Sequence, residues 1–243
     1  MAILKSPQAN IKATSCLFDM DGLLLNTEDV YTQVSTAIAS RYGKTYDWAL
    51  KAKLMGMRED AAALLFIQET GVPMTAAEYL AERNRMHEEL FPQCTPLPGV
   101  LRLVTHLRNV GMPMRVCTSS HRKPFLLKSQ NNQHLFKLFD GHITTGDDPS
   151  IKHGKPAPDL FLVGHEELGR PKDEVPTAVV FEDAISGVQA GLNAGMNVVW
   201  VRDPRMHREV ELEAKCFAVI ESMEEFDPAW IGVTAFPSNA GSA

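Results

Sequence analysis

The 243-residue chain is 44% apolar and 22% charged, an ordinary globular balance, and is long enough to bury a core as one large domain or two small ones. Its net charge of −6 gives no electrostatic attraction to nucleic acid or an anionic membrane, which argues against both as main partners. A small anionic substrate needs only local positive charge and stays open.

In chain order, the opening residues Met1 to Asn10 contain no long apolar stretch, so neither a signal peptide nor a transmembrane span is expected. The first β-rich run is Ser15–Phe18, ending in Asp19-Met20-Asp21-Gly22. Helical patterns follow. Val30, Val34, Ala37 and Ile38 share one face, and Tyr79, Leu80, Arg83, Met86 and Leu90 recur every three to four residues. Gly71-Val72-Pro73 reads as a helix stop, with Thr75 capping the next helix. Leu97-Pro98-Gly99-Val100 reads as a return to the main domain, with Pro98 near the first helical turn.

Further β-rich runs are Met114–Cys117, His142–Thr145, Ala178–Phe181 and Val198–Val201, with Lys215–Ile220 expected to add one more strand. Nearly continuous apolar strands alternating with helices predict a parallel α/β sheet covered on both faces. About ninety residues separate the first strand from the second, where a βαβ crossover needs about thirty. The excess predicts a helical insert over 29–95, between core segments 1–28 and 96–243. An insert there can close over the site as a lid or pack beside the sheet as an appendage, and periodicity does not choose. The tail Pro237–Ala243 is small and polar and is expected to fray.

Cys16, Cys94, Cys117 and Cys216 are scattered without a Cys-x-x-Cys pair, which argues against structural zinc and a disulfide framework. A reduced, cytoplasmic setting and a monomer are expected.

The chemistry-bearing residues cluster at strand ends, where open α/β sheets bind ligands. Asp19 and Asp21 can attack an electrophile, move a proton or hold a cation, although a lone Asp-x-Asp is usually a solvated turn. A calcium loop counted from Asp19 fails, because Leu23, Leu24 and Val30 fall at positions needing oxygen ligands or glycine. Thr118-Ser119-Ser120 could cradle an anion or cap a helix. Lys155, between Gly154 and Pro156, could present its ammonium inward or be an ordinary surface charge. Glu182 and Asp183 could bind a hard cation or complement a helix dipole. His87-Glu88-Glu89 lacks the second histidine of a zinc-protease helix, and His121 reads as a surface residue.

In order, Asp-x-Asp, a strand-end Thr/Ser, Lys-Pro and a strand-end Glu-Asp form the four-motif series of the haloacid dehalogenase-like hydrolase superfamily, which the chain resembles from about residue 14 to about residue 225. The texture of Phe18–Leu25, Thr118–Ser120, Gly146–Pro149, His153–Pro156 and Val180–Ala184 is similar to the helical-cap phosphatases, above all the eukaryotic pseudouridine-5′-phosphatases.

The resemblance implies a Rossmann-like core with an all-helical cap. It also implies Mg²⁺-dependent hydrolysis of a small phosphorylated metabolite, with pseudouridine 5′-phosphate the leading expectation. Glycerol phosphate, FMN and sugar phosphates are alternatives. Asp19 would be the nucleophile and Asp21 the acid–base, with Thr118 and Lys155 binding the transferring oxygens. Ser119 and Arg58 would contact substrate. Asp19, the Asp21 backbone carbonyl and Asp183 would hold Mg²⁺, with Glu182 beside them. Asp21 favours phosphatases and phosphomutases over dehalogenases. Tyr31 stands where β-phosphoglucose mutases carry histidine, which lowers the mutase reading. Asn26 stands where relatives often have Asp, in the expected hinge. A non-catalytic binding protein on this fold is the remaining alternative.

Overall fold

The computed structural model describes residues 4–7, 10–54 and 59–237. The expected substrate contact at Arg58 lies outside the described residues, as does the tail after Pro237.

Among the described residues, strands β1 (Ser15–Phe18), β2 (Met114–Thr118), β3 (Ile143–Thr145), β4 (Ala178–Glu182), β5 (Asn197–Val201) and β6 (Ala218–Ile220) form one sheet of order β3-β2-β1-β4-β5-β6, with every neighbouring pair parallel. Two strands run one residue further than expected, so Thr118 and Glu182 are ladder residues rather than the first residues after a strand. The last strand is shorter than its apolar run, because Lys215 ends helix α10 (Val210–Lys215).

Side chains alternate across the sheet. Cys16, Phe18, Val116, Val179 and Phe181 face one core, and Leu17, Cys117, Ala178, Val180 and Trp200 face another. Helix α5 (Val100–Asn109) packs on the first face through Leu103 and Leu107, and α8 (Asp159–Glu167) and α9 (Ile185–Asn193) pack on the second through Leu160, Phe161 and Val188. The fold is therefore a doubly covered, Rossmann-like parallel sheet. Pro98 lies near the first turn of α5, immediately before its N-cap Gly99.

Between β1 and α5 run α1 (Thr27–Arg41), α2 (Trp48–Leu54), α3 (Glu59–Thr70) and α4 (Ala76–Leu90). Thr75 caps α4 in a capping box with Glu78. On α4 the fully buried positions are Tyr79 and His87, while Leu80, Met86 and Leu90 are half-buried, so the inward face is rotated from the one the apolar repeat predicts. The buried apolar residues of these helices run continuously into the first sheet face through Leu23, Leu24 and Leu25.

The segments entering and leaving this helical group lie side by side. Asn26 N–H donates to Thr95 O at 3.1 Å, and Asn26 Oδ1 accepts from Thr95 N–H at 2.8 Å. Leu97 N–H donates to Leu24 O at 3.1 Å. Asn26 precedes α1 yet makes no capping bond to it, because its side-chain oxygen is taken by Thr95.

Candidate active site

The chain leaves β1 toward β2 on one side and later returns to β4 on the other. The crevice beyond β1 and β4 is thus a topological switch point, where open α/β sheets bind ligands. The register pairs Phe18 with Phe181, whose rings stack at 4.6 Å, and the ladder continues with Asp19 N–H donating to Phe181 O at 3.0 Å. Asp19 therefore leaves β1 beside Glu182 and Asp183.

Lys155 joins them across the sheet. Its Nζ donates to Asp19 Oδ1 at 2.5 Å and Glu182 Oε1 at 2.6 Å. The other Glu182 oxygen accepts from the backbone N–H groups of Asp183 at 2.9 Å and Ala184 at 3.0 Å. Both Glu182 oxygens thus have partners. A β-carbon on Gly187 would lie 1.7 Å from Glu182 Oε1, so α9 approaches this carboxylate only through glycine.

Asp21 sits in a second arrangement. Its Oδ2 accepts from the hydroxyls of Thr118 at 3.2 Å and Ser120 at 2.8 Å, and its Oδ1 from Lys128 Nζ at 2.5 Å. Lys128 belongs to α6 (Arg122–Ser129), is fully buried, and also donates to Tyr31 Oη at 3.0 Å and Ser120 Oγ at 2.8 Å. Its ammonium lies 4.5 Å from the centre of the Phe91 ring.

The electrostatics of the two carboxylates differ. Burial pushes Asp19 up to about 7, with Glu182 and Asp21 adding to the rise against the lowering effect of Lys155. Burial also acts on Asp21, but the charge of Lys128 and the hydrogen bonds from Lys128, Ser120 and Thr27 outweigh it and hold Asp21 below the ordinary carboxylate value. Burial, Glu182 and Asp19 raise Asp183 well above that value. Both lysines are raised, since their carboxylate partners outweigh their own burial.

The donor set suits a divalent cation. Carboxylate oxygens of Asp19, Glu182 and Asp183 lie within 4.8 Å of one another. Asp183 Oδ1 is buried without a hydrogen-bond partner. Four carboxylates face two lysines, and a cation held among oxygen ligands would discharge the surplus. Gly22 keeps this space open: it has φ +80°, and a β-carbon there would lie 2.3 Å from Asp183 Oδ2.

A cavity of about 1020 Å³ opens over these groups, lined on the core side by Asp19, Asp21, Ser119, Lys155 and Asp183 and on the helical side by residues including Tyr31, Arg83 and His87. The structure thus brings Asp19, Asp21, Lys155, Glu182 and Asp183 together and places Ser119 on the cavity wall. Thr118 is fully buried, with its hydroxyl donated to Asp21 and accepting from Ser120 N–H at 3.0 Å. Sequence reasoning missed Lys128, and it named Ser120 only within the Thr118-Ser119-Ser120 run, without its bond to Asp21. The only signal was Lys128 lying one turn after Phe125 on a helix, which many surface lysines share.

A haloacid dehalogenase-like hydrolase model matches residues 16–201. The chain belongs to that family. It is an enzyme, a hydrolase whose relatives bear phosphatase names. (DL)-glycerol-3-phosphatase 2 from Arabidopsis thaliana is 41% identical over 225 residues, covering 92% of each chain. A probable pseudouridine-5′-phosphatase from Drosophila melanogaster is 37% identical, covering 93% of this chain and 96% of its own. A solved family hydrolase from Deinococcus radiodurans, with bound phosphate and sodium, shares the fold with a TM-score of 0.78 at 24% identity, over 93% of this chain and all of that one. Among the described residues no helix is long and apolar enough to cross a membrane.

Proposed function

We propose that the protein is a Mg²⁺-dependent phosphomonoester hydrolase working through an aspartyl-phosphate on Asp19. The observation that carries this reading is the buried Asp19 carboxylate at the cavity floor, 2.5 Å from the Lys155 ammonium, with Asp21 two residues on in a different electrostatic setting. Asp19 attacks phosphorus, and the ester P–O bond breaks. Asp21, which Lys128 holds ionised here, takes a proton from the monoanionic ester and passes it to the departing alkoxide. It then takes one from a water that attacks the phosphorus, which breaks the P–O bond to Asp19 and restores the carboxylate. Lys155 neutralises the transferring oxygens and is itself held by Glu182. Asp19, Asp183 and the Asp21 backbone carbonyl would hold Mg²⁺, with Glu182 alongside. Bound there, the ion supplies the positive charge that lets a phosphate dianion approach a carboxylate.

Glycerol 3-phosphate becomes the first candidate substrate. Two relatives named as glycerol-3-phosphatases are 43% and 41% identical, against 37% and 39% for two named as probable pseudouridine-5′-phosphatases. Pseudouridine 5′-phosphate remains the second reading, favoured by a cavity of about 1020 Å³ with room for a nucleoside. A mutase fits less well: Tyr31, at the position where a histidine is expected, is pushed by burial to about 12 and accepts a bond from Lys128. The helical group over 29–95 acts as the cap, since its residues wall the cavity. The reading keeps a monomer in a reduced, cytoplasmic setting.

The test is phosphate release with Mg²⁺ from glycerol 3-phosphate, pseudouridine 5′-phosphate, FMN and hexose phosphates, by wild type and Asp19→Asn. Release by wild type that disappears in the variant supports the reading, and equal release by both removes it.

A further inference from the structure

The Asp21 carboxylate is held at both oxygens. Oδ1 accepts from Lys128 Nζ at 2.5 Å, and Oδ2 accepts from the hydroxyls of Ser120 at 2.8 Å and Thr118 at 3.2 Å. Donors on both edges stop the carboxylate from turning about its bond to the side chain. These donors are directed in turn. Thr118 Oγ1 accepts from Ser120 N–H at 3.0 Å, and Ser120 Oγ accepts from Lys128 Nζ at 2.8 Å.

Lys128 is the centre of this arrangement. An ammonium has three N–H donors and no acceptor. Among the described residues, its hydrogen-bond acceptors are Asp21 Oδ1, Ser120 Oγ and Tyr31 Oη, the last at 3.0 Å, so each donor has one partner. Lys128 has no exposed surface, so water does not stand in for any of the three. Substrate does not reach it either, and its effect on the reaction passes through Asp21 and Ser120. Tyr31 completes the set from α1, with its ring edge-on to Phe91 at 5.6 Å. Without the tyrosine hydroxyl, one N–H of a dry ammonium has no acceptor, which is costly, and the ammonium turns to recover one. Asp21 then loses the fixed direction of its shortest bond.

We propose that Lys128 is a positioning residue for Asp21 and that the Tyr31 hydroxyl fixes its direction. Asp21 has to meet a departing oxygen in one half of the reaction and a water in the other, each at about 2.6–3.2 Å. Lys128 and Tyr31 keep the carboxylate where both transfers succeed. The proposal rests on the phosphatase reading and adds to it the residues that aim its acid–base.

The test isolates breakdown of the phosphorylated enzyme. In that step a water oxygen bonds to phosphorus, its proton goes to Asp21 and the P–O bond to Asp19 breaks. In steady state with p-nitrophenyl phosphate and Mg²⁺, nitrophenol release divided by the phosphoenzyme trapped in acid gives the breakdown rate constant. Unfolded protein enters neither quantity, and the leaving group has already departed. Lost stability or an altered contact with the ester therefore does not move this constant. It is expected to fall about tenfold in Tyr31→Phe, the scale of one unpaired buried donor. In Lys128→Met it should fall about a hundredfold, the lower end of what general acid–base catalysis contributes. Should Lys128→Met not fold, Tyr31→Phe, which keeps the ring and the lysine charge, carries the test alone. An unchanged constant in Tyr31→Phe overturns the proposal and leaves the phosphatase reading intact. A wild type that releases no nitrophenol and traps no phosphate overturns both.

Discussion

Lys128 sets its ammonium 2.5 Å from Oδ1 of Asp21, and this pair ties helix α6 to the carboxylate that is proposed to move the proton. Lys128 is fully buried, so removing its charge leaves Asp21 uncompensated in a dry site. Lys128→Met is expected to cost about 3–5 kcal/mol of stability, the scale of breaking one side of a buried pair. Adding Asp21→Asn in the same chain should recover much of that loss, because the two sites are coupled. Urea unfolding of the two single variants and the double variant checks this, and strictly additive losses would contradict it.

Mg²⁺ binding should release protons. Asp19 is raised to about 7 and Asp183 is raised as well, and both must ionise to hold a cation. Calorimetry near pH 6.5 in buffers of different ionisation enthalpy should therefore show net proton release that shrinks as the pH rises well above 7. Without the ion, the native state keeps the Asp19 proton that the unfolded chain loses above 3.8. The contribution of Asp19 to stability then falls as pH rises from 3.8 to about 7, and Mg²⁺ should reverse that fall.

His87 acts with the opposite sign. Its folded-state value is lowered to about 3 from 6.5, so between those values the unfolded chain binds a proton that the native state refuses. Its contribution to stability therefore rises with pH across that window. Relative to wild type, His87→Leu should gain about 2 kcal/mol more at pH 5 than at pH 7.5. Paired thermal denaturations at the two pH values measure the difference, and an equal effect at both would contradict a buried neutral imidazole.

Gly22→Ala tests the space beside Asp183. The new methyl group would lie 2.3 Å from Asp183 Oδ2 on a backbone at φ +80° that alanine adopts only with strain. Weaker Mg²⁺ affinity by at least about tenfold is expected, the scale of a displaced ligand shell. A Mg²⁺ titration of activity that matches wild type would count against Asp183 as a ligand.

The sheet was legible because its strands are nearly continuous apolar runs, a pattern that leaves little ambiguity in an alternating β/α chain. The boundaries at Thr118 and Glu182 were missed by one residue. Polar residues at a strand end look like loop, although the ladder carries them. Asp19, Lys155 and Asp183 were legible as an ordered series of motifs, and neither periodicity nor composition would have singled them out. Lys128 was not legible, because a single lysine on an amphipathic helix reads as surface until its fold partner, Asp21, is placed against it. The inward face of α4 was misread for a related reason. Tyr79 is buried there against Phe66 and His87 against Phe91, and hydrophobicity alone ranks Leu80 and Met86 above His87.

The covalent role of Asp19 is the centre of the account, and trapping the phosphorylated protein addresses it most directly. Asp21→Asn cannot deprotonate the hydrolytic water, and p-nitrophenyl phosphate has a leaving group that needs no proton. Acid-quenched after mixing with this ester and Mg²⁺, that variant should carry one phosphoryl group on the peptide containing Asp19. Nitrophenol release with no covalent phosphate on the protein, or with phosphate mapped to another residue such as Ser119, would contradict the account.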